Sequence, residues 1–281
     1  MRIDAHQHFW KYDAVRDAWI TAEMSVLQRD YLPSDLVPEL VRNEITGTIA
    51  VQADQSESET AFLLSLAERH SFILGVVGWV DLRSPLVGER LEYYSRFERL
   101  VGFRHIVQAE PDDLFLLRQD LMRGLRLLQS FGYSYDLLVY PRQMHAAIEL
   151  AHRLPDLRLV LDHIGKPPIR DGVRGPWRQQ IHALAENPNV YCKLSGLVTE
   201  ADWKRWTPND CKPYLDAVFE AFGPERLIFG SDWPVCLLAA GYGQVTSLIA
   251  EYAAQCGSGA LDAIMGSNAI SFYRVKTTAC I

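Results

Sequence analysis

Short β-rich runs recur along this chain at a spacing that few folds can use. They fall at residues 2–6, 47–52, 72–80, 101–106, 134–140, 157–162, 190–194 and 226–230. Their starts lie 32 residues apart on average, close to the ~30 residues of one strand–helix–strand unit. Several, such as Thr48-Ile49-Ala50-Val51 and Leu157-Arg158-Leu159-Val160-Leu161, are nearly continuous in apolar or β-branched residues, as strands covered on both faces are. Helical periodicity fills the intervals. Phe62, Leu63, Leu66 and Ala67 form one stripe over 60–70, and leucines repeat at helical spacing over 114–131. The stretch 142–154 stops at Pro155, 177–186 at Asn187-Pro188, and 209–222 at Gly223-Pro224. Further helical stretches cover 245–256 and 260–265. Eight such units predict a single α/β domain, a (β/α)8 TIM barrel over residues 1–274, with 275–281 as a short tail. An open doubly wound sheet is disfavoured by the count of eight and by the lack of a Gly-rich phosphate loop after the first strand. Residues 9–43 are too long for an ordinary βα loop and read as an inserted flap over the first strand's end.

Composition narrows the partners. At 48% hydrophobic and 22% charged, the 281 residues have the balance of a soluble globular protein. The 28 Lys and Arg against 35 Asp and Glu leave a net charge of −7, which argues against a nucleic-acid surface. No apolar run approaches the ~18 residues of a membrane span, and Met1-Arg2-Ile3-Asp4-Ala5-His6 is polar where a signal peptide is apolar. Cys192, Cys211, Cys236, Cys256 and Cys280 are scattered without a CxxC pair, so neither a disulfide framework nor a thiolate zinc site is indicated. The expected setting is the cytoplasm, and the expected partner is a small molecule.

In a TIM barrel, chemistry sits at the C-terminal ends of the strands. Those ends read Asp4-Ala5-His6-Gln7-His8, Gln52-Ala53-Asp54, Arg104-His105, Asp162-His163-Ile164-Gly165-Lys166, Lys193-Leu194-Ser195 and Ser231-Asp232-Trp233-Pro234. His6 and His8 are two apart, so on a strand they face the same way. Two converging imidazoles make half of a metal site, or two donors for an anionic oxygen. One such pair is weak evidence, because histidines also sit quietly in cores. His163 and Asp232 at two further strand ends turn the pair into a candidate active site. Asp232 could simply cap a helix; as a functional group it is a carboxylate suited to a metal or to deprotonating water. Arg104 and His105 are adjacent and must face opposite ways, and His105 is expected to be the one that enters the site. Lys166 and Lys193 fit substrate contacts or ion pairs, and Trp79, Trp233 and Tyr140 fit pocket walls or plain core packing. A nucleophilic Cys236 is disfavoured, since no histidine adjoins it, and Ser195 lacks the G-x-S-x-G elbow.

These pieces, together with Val77-Gly78-Trp79-Val80-Asp81-Leu82, Leu161-Asp162-His163-Ile164-Gly165-Lys166-Pro167 and Phe229-Gly230-Ser231-Asp232-Trp233-Pro234, resemble the amidohydrolase 2 branch of the amidohydrolase superfamily over residues 1 to about 274. Within it they are similar to the sugar lactonases, L-fuconolactonase and L-rhamnono-lactonase, and more distantly to 2-pyrone-4,6-dicarboxylate lactonase. The resemblance implies a (β/α)8 barrel that hydrolyses a sugar lactone to its acid, as in L-fucose breakdown. His6, His8, His163 and Asp232 fall on the superfamily's site positions and would be the ligands of any metal. Binuclear members carry a bridging Lys or Glu at strand four, where this chain has Arg104-His105, so at most one divalent ion, zinc if any, is implied; close relatives are thought to work without one. Asp232 would be the general base, helped by His105 and His163, with His6 and His8 toward the substrate. A polyhydroxylated substrate also needs hydrogen-bonding side chains, for which Gln52, Trp79, Arg104, Asp136 and Lys166 are the candidates. Two rivals remain at this stage: a metal-dependent decarboxylase of aromatic acids, and a non-catalytic sugar-binding barrel.

Overall fold

A computed structural model describes residues 1–257 and 259–276; residues 277–281 of the expected tail, with Cys280, lie outside that range. Eight strands appear where the spacing places them: β1 (Ile3–Gln7), β2 (Gly47–Val51), β3 (Ile73–Gly78), β4 (Leu100–His105), β5 (Ser134–Leu137), β6 (Arg158–Leu161), β7 (Val190–Leu194) and β8 (Leu227–Phe229). All neighbours are parallel, in the order β1 to β8. β8 returns to β1 through Asp232 N–H to His6 O (2.8 Å) and His8 N–H to Trp233 O (2.7 Å). The architecture is a nearly closed TIM barrel.

Helices cover the outside, and local chemistry sets their ends. Glu57–Arg69 starts at Ser56, whose hydroxyl accepts the Glu59 N–H, satisfying a donor that the first turn leaves unpaired. Pro208–Phe222 starts in a Thr207/Asp210 capping box and ends at Gly223, whose φ of 65° suits a residue without a Cβ. The run expected as one helix over 114–131 is two pieces, a 3-10 turn at Phe115–Leu117 and an α-helix at Gln119–Ser130, broken where Arg118 turns extended. The stretch begun at Ala260 continues through a π-type turn to Tyr273. Val87–Tyr94, between β3 and β4, is a short helix that periodicity did not reveal.

Two apolar layers result. The larger packs the outer strand faces against the helices. The smaller fills the barrel's interior with Ile3, Ala5, Ile49, Val51, Val77, Val101, Val160 and Ile228, and Phe272 and Tyr273 of the last helix close its lower end. The β1–β2 register slips between Asp4 and Gln7. That irregularity lets Ile3 and Ala5 pack inward below while His6 and His8 face the mouth above. The long segment after β1 holds a 3-10 turn at Ala22–Leu27 and a helix at Pro33–Arg42, and it brings Trp10 and Trp19 over the strand ends. Among the described residues no helix is long and apolar enough to cross a membrane.

Candidate active site

A cavity of about 290 Å³ opens at the C-terminal ends of the strands. One side is apolar, with Trp10, Trp19, Ala53, Ile106, Leu138 and Val235; the other presents His8, Arg104, His163, Lys166 and Asp232. A larger hollow of about 710 Å³ lies between helices Pro208–Phe222 and Tyr242–Ala254 and shares no lining residue with the first.

Asp232 sits where these groups converge. It is buried, with φ at 58°, a left-handed conformation that a non-glycine residue adopts at a cost of roughly 1–3 kcal/mol. Neighbours on both sides hold it there. Asp4 accepts the Ser231 N–H (2.9 Å) and O–H (2.6 Å) and the Tyr242 O–H (3.0 Å), and the Ser231 hydroxyl in turn accepts the Trp233 N–H (3.0 Å). Burial pushes the Asp232 carboxyl up, but the neighbouring His163, His8 and Lys166 outweigh it, leaving it below the ordinary value. Burial holds His163 itself well below the ordinary imidazole value. With His163 neutral and the His8 hydrogen on Nδ1 toward Val51 O, the Lys166 ammonium is the positive charge left facing the carboxyl. Asp232 is therefore an ionised carboxylate at neutral pH.

The imidazoles are oriented by what lies behind them. His8 Nδ1 donates to Val51 O (2.8 Å), so its Nε2 meets Asp232 Oδ1 at 3.4 Å. His163 Nδ1 lies 2.9 Å from Ser195 Oγ, and its Nε2 lies 3.9 Å from Asp232 Oδ1. Gly196 makes room for that ring: a Cβ there would come within 2.7 Å of His163 Nδ1. His6 is fully buried, with Nδ1 3.3 Å from Asp162 Oδ1 and Nε2 3.9 Å from Asp232 Oδ1. Burial and the nearby Lys193 charge hold its pKa well below the ordinary value. Lys166 pairs with Glu200 at 2.9 Å; burial opposes its charge, but Glu200 more than compensates and its pKa rises.

Other expected members lie elsewhere. His105 does not reach the cavity, because strand alternation points Arg104 inward and His105 outward. There His105 Nε2 pairs with Glu110 Oε1 (2.7 Å), its Nδ1 accepts the Trp79 N–H (3.4 Å), and its ring stacks on Phe115. Trp79 is thereby placed beside His105 rather than in the cavity lining. Gln52 is buried beneath, its amide donating to Arg104 O (3.1 Å). Asp136 lies deeper still, accepting from Lys193 Nζ (2.6 Å) and Tyr273 O–H (2.8 Å). Trp233 packs against Phe9 and Tyr31, and the Tyr140 ring lies 5.8 Å from Lys166 Nζ. Sequence reasoning gave no role to Asp4, Asp162, Glu200, Trp10 and Trp19, and it set Ser195 aside as a nucleophile without giving it another part. Only Asp162, beside His163, carried an adjacency signal. Cys192, Cys211 and Cys236 are buried free thiols and Cys256 an exposed one.

The donor chemistry fits a divalent ion. His6, His8 and Asp232 offer two nitrogens and one oxygen within 4.8 Å of one another, and His6, Asp162 and His163 form a second such group. Imidazole and carboxylate without thiolate is a set that zinc accepts.

The family model described as Amidohydrolase matches residues 3–275. The chain belongs to the amidohydrolase family. It is 44% identical to the L-fucono-1,5-lactonase of Burkholderia multivorans (strain ATCC 17616 / 249) over 290 residues, covering 99% of this chain and 98% of the relative. It is 38% identical to the L-fucono-1,5-lactonase of Burkholderia ambifaria over 283 residues, covering 98% and 96%. A crystal structure of an amidohydrolase from Burkholderia multivorans with bound zinc matches it with a TM-score of 0.95 at 45% identity, covering 98% of this chain and 100% of that one. The amidohydrolase barrel read from the sequence is thus borne out.

Proposed function

We propose that this amidohydrolase is a sugar lactonase that hydrolyses an aldonolactone, L-fuconolactone or a close stereoisomer, to the sugar acid, and so serves L-fucose or related sugar breakdown. Full-length likeness to two L-fucono-1,5-lactonases supports the substrate class. The observation that carries the reaction type is the buried Asp232 carboxyl group set between His8 and His163 at a cavity of about 290 Å³, near the small end of ligand pockets.

A lactone is an ester whose carbonyl carbon must be attacked by water. Asp232 accepts a proton from that water as the new C–O bond forms, then returns it to the ring oxygen as the ring C–O bond breaks. Charge builds on the carbonyl oxygen in between. His163 meets it as an N–H donor when the Ser195 hydroxyl donates to its Nδ1, and the cations of Lys166 and Arg104 stabilise it in a site with little water. The ring hydroxyls lie against Lys166 and the two tryptophans of the flap. If a zinc ion is bound, His8 and Asp232, with His6 or His163 near, would hold it, and it supplies Lewis-acid polarisation of the carbonyl or of water.

The test is acid release from a panel of aldonolactones, phosphate esters, peptides and aromatic acids, before and after prolonged chelation. Rapid acid release from aldonolactones alone is expected. Carbon dioxide release from an aromatic acid, lost on chelation, would replace this reading with the decarboxylase. No turnover of any member would favour the sugar-binding barrel.

A further inference from the structure

Both ring nitrogens of His6 face a permanent cation. Lys193 Nζ lies 3.1 Å from Nδ1, and Arg104 Nη1 lies 3.3 Å from Nε2. Asp162 Oδ1, 3.3 Å from Nδ1, is the nearest carboxylate oxygen to the ring, and Lys193 has Asp136 and Asp162 at 2.6 and 3.0 Å for its own hydrogens, so the ring hydrogen is assigned to Nδ1. With the hydrogen there, the lone pair of neutral His6 is on Nε2, and an Arg104 N–H points into it. That lone pair is the one a metal ion would need.

Arg104 is not free to leave. It is 4% exposed, its Nη1 is paired with Asp162 Oδ2 at 3.0 Å, and its Nη2 donates to the Gln52 carbonyl. His8 is arranged differently: its Nδ1 is satisfied by a neutral carbonyl, and its Nε2 meets the Asp232 carboxylate. Two histidines that look equivalent at the end of β1 are therefore prepared for different work.

We propose that Arg104 is a built-in competitor of the metal ion. It withholds His6 from coordination, so that a divalent cation entering the cavity is held by His8 and Asp232, with solvent or substrate completing its shell. The affinity is weak for so histidine-rich a site, because one nitrogen ligand is engaged and a fixed positive charge sits beside it. The inference concerns metal occupancy and stands whether or not the substrate is a lactone.

The experiment is a Zn2+ titration of the metal-stripped full chain against a competing chelator, for wild type, Arg104→Gln, His6→Asn and the double variant. Asp162 keeps Lys193 and His6 as partners in Arg104→Gln. Arg104→Gln should bind Zn2+ at least ~10-fold more tightly. His6→Asn should change the wild-type affinity less than ~3-fold but cost the Arg104→Gln protein at least ~10-fold, the signature of coupled neighbours. Arg104→Lys, which keeps the charge, should stay near wild type. An Arg104→Gln affinity no tighter than wild type, or an equal His6→Asn cost in both backgrounds, overturns the proposal. Should Arg104→Gln not fold by circular dichroism, imidazole nitrogen NMR of the wild type decides: Zn2+ is expected to move the His8 Nε2 signal and leave His6 Nε2 in place, and a displaced His6 signal overturns it.

Discussion

Two sets of charged side chains share this barrel and behave in opposite ways. Beneath the mouth, Asp162, Lys193 and Asp136 are fully buried, and the Lys193 ammonium pairs with both carboxylates at 2.6 and 3.0 Å. At the mouth, His8, His163, Lys166 and Asp232 border a cavity, and the distances from Asp232 to the imidazoles are longer, 3.4 and 3.9 Å. Residue type does not separate the two sets. What separates them is whether a side chain has bonding capacity left for something that arrives from outside. The lower set is framework; the upper set is available for chemistry.

Removing one member from each set should break the molecule in different ways. Lys193→Met leaves Asp136 and Asp162 buried without their shared ammonium, and unfolding measurements should show a loss of about 3–5 kcal/mol. Asp232→Asn should do the reverse: kcat on the best lactone falls at least ~10²-fold, while the thermal midpoint stays close to wild type. A Lys193→Met protein of normal stability, or an Asp232→Asn protein with most of its kcat, would erase the distinction.

Glu59 sharpens the comparison, because it is a buried carboxyl without a direct ion pair. It accepts the Ala53 N–H at 2.5 Å, yet burial raises its pKa to about 7. A folded-state pKa above the unfolded one means that folding favours the protonated acid. The stability this group contributes is full below about pH 4.5 and is lost as the pH rises to about 7, a span of roughly 3 kcal/mol. Glu59→Gln should flatten that part of the stability–pH curve, measured by denaturant unfolding from pH 4.5 to 8. An unchanged curve would show that Glu59 does not titrate there. The smallest effect belongs to His105→Gln, which lies off the cavity: kcat within ~3-fold of wild type and a stability loss of about 1 kcal/mol from the contacts with Glu110 and Trp79. A large fall in kcat would return His105 to the reaction.

The barrel was legible because strand–helix units of 32 residues leave a periodic trace in apolar and breaker residues. The mouth was partly legible, since the strand-end rule finds His6, His8, His163, Lys166 and Asp232 without any partner being known. Adjacency said that one of Arg104 and His105 faces inward, and the expectation fell on His105, whereas Arg104 lines the cavity. Which one does so depends on strand register, and β4 shifts against β3 between Val76 and Val77. The lower network was hidden for a related reason. Lys193 meets Asp136 from 57 residues away, and nothing near either residue marks it as an internal ion pair rather than a substrate contact. Trp10 and Trp19 were hidden inside a flap whose path is set by tertiary packing.

The pH dependence of kcat on the best aldonolactone, measured after chelation for wild type and Asp232→Asn, tests most directly whether Asp232 is the base. Because the Asp232 pKa lies below the ordinary carboxylate value, the wild-type rate should hold from pH 7 down through pH 5 and fall only near or below ~pH 4. The residual rate of the variant should lack that limb. A wild-type rate that instead falls around ~pH 6.5, in the imidazole range, with the same limb kept in Asp232→Asn, would contradict the assignment and make a histidine the base.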